Sequence, residues 1–181
     1  MSGRGSPIVT DMQVVPVAGH DSMLLSLSGA HSPFFTRNIV ILTDSSGNTG
    51  LGEVHGGEAI RRVLEGYKPL VVGKQIGDFR GVLGGLRRGS PVQQEDDGEG
   101  LQRLDLKKLR FVVRAETAVE AALLDLLGKF LDLPAAALLG DGRQRDSVLI
   151  LGYLFYVADK SKTDLPYLDE SGSADPWFRL R

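Results

Sequence analysis

The chain has 181 residues, with 21 Lys plus Arg against 23 Asp plus Glu, a formal net charge of −2 and no cysteine. The missing cysteines exclude disulfide scaffolds, thiolate zinc sites and cysteine nucleophiles, and the near-neutral charge argues against a nucleic-acid partner. At 42% hydrophobic and 24% charged residues the composition is that of a soluble globular protein, but the length is short of the roughly 200–250 residues of a complete (β/α)8 barrel.

Met1–Pro7 carries one positive charge and no apolar core behind it, so no targeting segment is expected and a cytoplasmic location is the default. No apolar run approaches the ~18 residues that span a bilayer, so no membrane is expected among the partners. Ile8–Val17 alternates imperfectly, and Pro16 suits an edge strand or a strand end. Ser22–Ser28 reads as a second strand, and Asn38–Thr43, rich in β-branched residues, as a third. Asp44–Asn48 is a dense run of turn formers leading into a short strand over Thr49–Glu53, which makes a hairpin. A three- or four-stranded antiparallel sheet is predicted.

From Gly57 the period changes. Ile60, Val63 and Leu64 predict a helix over 58–66, broken by Pro69 and Gly73. Ile76–Leu86 reads as a second helix weakened by Gly77, Gly81, Gly84 and Gly85, and 87–100 as a loop. Leu101–Val113 has a helical pattern, and Thr117–Leu131 is the clearest helix of the chain. Apolar nearly all round, it should be buried over most of its circumference. Its polar residues form two groups: Glu116 and Glu120 on one side, Asp125 and Lys129 opposite as an i,i+4 pair. Pro134 ends it, and Ala135–Leu139 is a short apolar segment closed by Gly140-Asp141-Gly142. Ser147–Val157 reads as one continuous apolar strand, as in a sheet or barrel covered on both faces. The fold class is α+β: an N-terminal antiparallel three- to four-stranded sheet, then a helical bundle, with one orphan strand appended.

Self-contained catalysis is hard to assemble. His20, His31 and His55 have neither an i,i+4 partner nor the flanking carboxylates of a helical metal site. No serine sits in a nucleophile elbow, and no glycine-rich loop carries the Lys-Ser/Thr of a phosphate cradle. Gly50, Gly52, Gly56 and Gly57 read as turn chemistry. His31 lies among small residues between two strands, where it is either a solvated loop histidine or a presented binding group. Tyr153, mid-strand, is either a core tyrosine with a satisfied hydroxyl or a site residue. Glu120 and Asp125 are either buried acids with shifted pKa or structural groups tying their helix to neighbouring backbone.

Two stretches, EAALLDLLGK over 120–129 and LPAAALLG over 133–140, resemble the signature of the mandelate racemase/muconate-lactonizing branch of the enolase superfamily. Within it, PVAGHDSM (16–23), LSGAHSPFFTRNIV (27–40) and LGYLF (151–155) resemble the D-glucarate dehydratases, over about 7–181. The resemblance implies an enolase-type capping domain over 1–143 and the first strand and start of a (β/α)8 barrel over 144–181. It also implies Mg²⁺-assisted removal of water from a sugar diacid, in which a base takes the proton beside the carboxylate and the metal stabilises the enediolate. The capping domain excludes water and selects substrate. By this resemblance His31 and Tyr153 contact the substrate.

Arg103 stands where the family has a substrate-touching threonine, and could clamp a carboxylate bidentately. His55 stands where the family has a proline. The family's base, its His–Asp dyad and its metal ligands lie on later barrel strands, so Mg²⁺ is implied by resemblance with no ligand and no catalytic residue assigned here. The chain alone is expected to be inactive. Activity is expected when a barrel-bearing chain completes it, and a homo-oligomer is a further expected association. The alternative is a non-catalytic module that docks on an intact dehydratase.

Overall fold

The computed structural model describes residues 5–20, 34–89, 106–152 and 163–166. Strands β1 (Val9–His20), β2 (Phe34–Asp44) and β3 (Thr49–His55) form a three-stranded antiparallel sheet in the order β1-β2-β3. The second strand expected over Ser22–Ser28 lies outside the described residues. The hairpin is set by Asp44, whose Oδ1 accepts the backbone N–H groups of Ser46 at 2.8 Å and Asn48 at 3.1 Å. Gly47 takes the left-handed φ of 82° that the turn requires. This turn fixes the ladder from Thr43↔Thr49 out to Arg37↔His55. Alternation then sends Asn38, Val40, Leu42 and Asp44 to the buried face.

Among the described residues three helices follow: α1 (Glu58–Val71), α2 (Phe79–Arg88) and α3 (Leu106–Leu131), with 3-10 turns at Ile76–Asp78 and Ala135–Leu138. Helix α1 buries Ile60, Leu64, Tyr67 and Val71, one per turn on a single stripe. Its first turn is charge-matched: Arg61 and Arg62 hydrogen-bond Glu58 and hold its carboxyl down at about 2. Pro69 does not break this helix as expected. It falls in the last turn, where one lost hydrogen bond matters little beside the burial of Tyr67 and Val71, and the chain leaves at Val72–Gly73.

Of the pattern expected over 101–113, residues 101–105 lie outside the described residues; the rest joins 117–131 in one helix, α3, because Val112, Ala115, Ala118, Val119, Ala122, Leu123 and Leu126 continue one buried face. That face packs against β3, where Gly50 and Gly52 are not turn residues as expected. A Cβ on Gly52 would lie 1.9 Å from the Ala118 carbonyl oxygen, and one on Gly50 would lie 2.2 Å from that of Ala122. The alternate glycines let the helix backbone sit directly on the strand.

The chain divides into two compact units, residues 1–17 with 37–146 and residues 18–36 with 147–181. The first holds the core just described. In the second, the strand expected over Ser147–Val157 is not formed in its described part. Residues 147–152 have neither helix nor ladder, and Val148, Leu149, Ile150 and Leu151 are exposed. An apolar segment becomes a strand only when a neighbour takes its backbone hydrogen bonds.

Candidate functional site

His31, Tyr153 and Arg103 all lie outside the described residues. The structure does describe the strand ends from which the His31 connection departs. Where β1 ends and β2 begins, the His20 and Phe34 rings stack at 4.7 Å and 18°. Gly19 lies against Phe35, so closely that a Cβ there would come 2.1 Å from the ring. The His20 Nε2–H donates to the Pro166 carbonyl, which fixes the tautomer to Nε2–H.

At the same end of the β2–β3 hairpin, Arg37 is paired opposite His55. Arg37 Nε donates to Glu53 Oε1 at 2.9 Å. The buried Asn38 Nδ2 donates to the carbonyls of His55 at 3.2 Å and Gly57 at 3.3 Å, and Gly57 adopts a φ of 116°. The β3–α1 junction is therefore held by a side chain inside the core. Sequence reasoning missed this grouping of Arg37, Glu53 and His55. The signal was available: once Asp44–Asn48 is taken as the turn, counting outward pairs 37 with 55.

The acids of α3 have separate tasks. Asp125 Oδ2 accepts the Leu51 N–H at 3.0 Å and Lys129 Nζ at 2.9 Å, and Lys129 also donates to the Thr49 carbonyl at 2.6 Å. Asp125 thus ties its helix to strand backbone, one of the two readings open from sequence. Glu116 is buried and accepts Arg87 Nε at 2.7 Å. The Tyr67 hydroxyl, buried with no hydrogen-bond partner among the described residues, is pushed up to about 12 by desolvation and by the Glu116 charge. Glu120 lines a groove of about 320 Å³ with Phe79, Arg80, Leu83, Arg87, Leu138, Leu139 and Gly140.

Among the described residues no three His, Asp or Glu side chains come together as a metal site. The described residues do not fit a magnesium ion. No helix among them is long and apolar enough to cross a membrane.

A protein of Streptomyces coelicolor named a probable glucarate dehydratase is 33% identical over 177 residues, covering 93% of this chain and 40% of the relative. The crystal structure of an enolase from Pseudomonas fluorescens Pf0-1, with bound magnesium, potassium and tartrate, superposes with a TM-score of 0.70 at 28% identity, covering 93% of this chain and 40% of that one. This chain carries the N-terminal domain of the enolase superfamily. A second superfamily structure, an enolase from Thermobispora bispora complexed with magnesium and formate, gives a TM-score of 0.65 at 30% identity over 83% of this chain and 36% of that one. A D-xylonate dehydratase of Haloferax volcanii is 30% identical over 142 residues, covering 78% of this chain and 28% of the relative. No family model matches. The chain thus spans well under half the length of these relatives, and its sheet-then-helices order is that of the superfamily's N-terminal domain.

Proposed function

We propose that this chain is the substrate-capping part of a sugar-acid dehydratase, and that the acid is D-glucarate. The likeness to the Streptomyces coelicolor protein, which runs through 93% of the chain, carries the reading. It supports D-glucarate over D-xylonate because the match to the xylonate enzyme is shorter. In this reading residues 1–143 form the cap and 144–181 begin the barrel. His31, Tyr153 and Arg103 contact the substrate as a hydrogen-bond donor, a phenol and a guanidinium. Binding, orientation and exclusion of water belong to this chain. Magnesium would be held by residues elsewhere and would supply positive charge there, and the working form is a cytoplasmic assembly in which a barrel completes the site.

The test is a fusion of residues 1–181 to the remaining part of the Streptomyces coelicolor relative. Magnesium-dependent dehydration of D-glucarate, faster than of D-xylonate, is the expected result, with no turnover by the 181-residue chain alone. A folded, magnesium-loaded fusion that dehydrates no sugar acid sinks the reading in favour of a non-catalytic module. Turnover by the chain alone overturns its division of labour.

A further inference from the structure

We propose that the groove between α2, α3 and the turn at Ala135–Leu138 binds a small zwitterion with an apolar body, an α-amino acid of the leucine type. Arg80 takes its carboxylate and Glu120 its ammonium. The site does not depend on the capping role proposed above, and all its lining residues belong to the first compact unit. Arg80, Leu83 and Arg87 follow one another at i, i+3 and i+7, on one face of α2. Glu116 and Glu120 share a face of α3 at i, i+4. The Arg87–Glu116 pair joins the two helices. Glu120 stands one turn along α3 from that pair, about 6 Å, and Arg80 about 10 Å from it along α2.

The charged groups of the groove are unevenly committed. Arg87 is bound to Glu116. Arg80 instead lies over the Phe79 ring at 5.6 Å, which holds the guanidinium in place and leaves its N–H donors open. Glu120 is partly buried. Among the described residues the side chains of Arg80 and Glu120 line one groove, yet neither forms a hydrogen bond or an ion pair. A free cation and a free anion that share a groove without meeting call for a ligand that carries both charges. Leu83, Leu138 and Leu139 supply apolar wall, and Leu139 is 53% exposed, so an aliphatic body seated there removes apolar surface from water. The groove holds about 320 Å³, at the low end of the range for small-molecule sites, which suits one amino acid and not a peptide or a helix. A sugar acid would turn its row of hydroxyls toward leucine side chains. A simple anion would use Arg80 alone and would meet the Glu120 charge.

The experiment titrates the 181-residue chain with L-leucine and follows it by calorimetry and by methyl NMR of labelled leucines. Saturable binding is expected, with shifts at Leu83, Leu138 and Leu139. 4-Methylpentanoate lacks the ammonium and 3-methylbutylamine lacks the carboxylate. Each should bind roughly tenfold more weakly, because each leaves one charge-assisted hydrogen bond unmade. Glycine and D-glucarate, without an aliphatic body, should also bind more weakly than L-leucine. Arg80→Gln and Glu120→Gln should each weaken L-leucine binding roughly tenfold at an unchanged melting temperature. Glu120→Gln should also erase the preference for L-leucine over 4-methylpentanoate. No saturable binding of L-leucine overturns the proposal. So does either single-charge analogue, or D-glucarate, binding as tightly as L-leucine. The analogues probe both charges on the unsubstituted chain, so the outcome stands even where a variant fails to fold.

Discussion

Two stretches rich in apolar residues meet opposite fates. Val119–Leu126 on α3 sits against β3 with Val119, Ala122, Leu123 and Leu126 fully buried. Val148–Leu151 lies exposed and without a ladder. The more apolar of the two is the one left exposed, so the difference lies in the availability of a complementary surface. α3 satisfies its own backbone and meets a strand stripped of side chains at Gly50 and Gly52. The 148–151 segment must borrow its hydrogen bonds from a neighbour.

The comparison can be broken at the seam. Gly52→Ala places a methyl group into the Ala118 carbonyl, on a buried helix with no room to retreat. A loss of about 3 kcal/mol by urea unfolding is expected, and a loss below half of that would show that the helix can lift from the strand. Asp125→Ala removes the acceptor for Leu51 N–H and the partner of Lys129. At a site about a third exposed this should cost about 1 kcal/mol, and thermal melts at two salt concentrations should agree on it, since the backbone bond is the larger part.

A third change sharpens the picture from inside the core. Tyr67→Phe deletes a buried hydroxyl that has no partner and should be neutral or stabilising by up to about 1 kcal/mol. Folding favours the neutral phenol, because its value is raised from 10.0 to about 12 by desolvation and the Glu116 charge. That contribution is fully present below pH 10 and is lost as pH rises through 12. The wild type should therefore lose stability relative to Tyr67→Phe in that window, and parallel melting curves across it would contradict the burial. The smallest effect belongs to the exposed segment. Leu149→Ser should shift unfolding by no more than about 0.5 kcal/mol, and a larger loss would mean that the segment is packed in solution.

Much of the architecture was legible. The Asp44–Asn48 turn, the start of α1 and the apolar body of α3 each announced themselves by turn chemistry or period. What failed failed for tertiary reasons. Gly50 and Gly52 look like turn residues until a helix is known to lie on them. Pro69 looks like a stop until Tyr67 and Val71 are seen to be buried on either side. The apolar run from Ser147 looks like a strand because sequence shows burial appetite and not partners. At the site, the separate duties of Glu116 and Asp125 were foreshadowed by their opposite helix faces. The grouping of Arg37, Glu53 and His55 depends on register, which shows only when residues are counted outward from the Asp44–Asn48 turn. His31, Tyr153 and Arg103 rest on family resemblance, since the described residues do not include them.

The Lys129–Asp125 grip on β3 has a consequence for the molecule in a crowded cell. Among the described residues β3 is an outermost strand of the sheet, and a bare outermost strand invites a second chain to add itself and begin templated growth. Here an ammonium covers the Thr49 carbonyl and a carboxylate covers the Leu51 N–H. Two of the polar rungs of that edge are already taken, by charged groups that an incoming backbone displaces only at the cost of stranding both. The same two side chains that seat the helix therefore also act as a gatekeeper against fibril seeding.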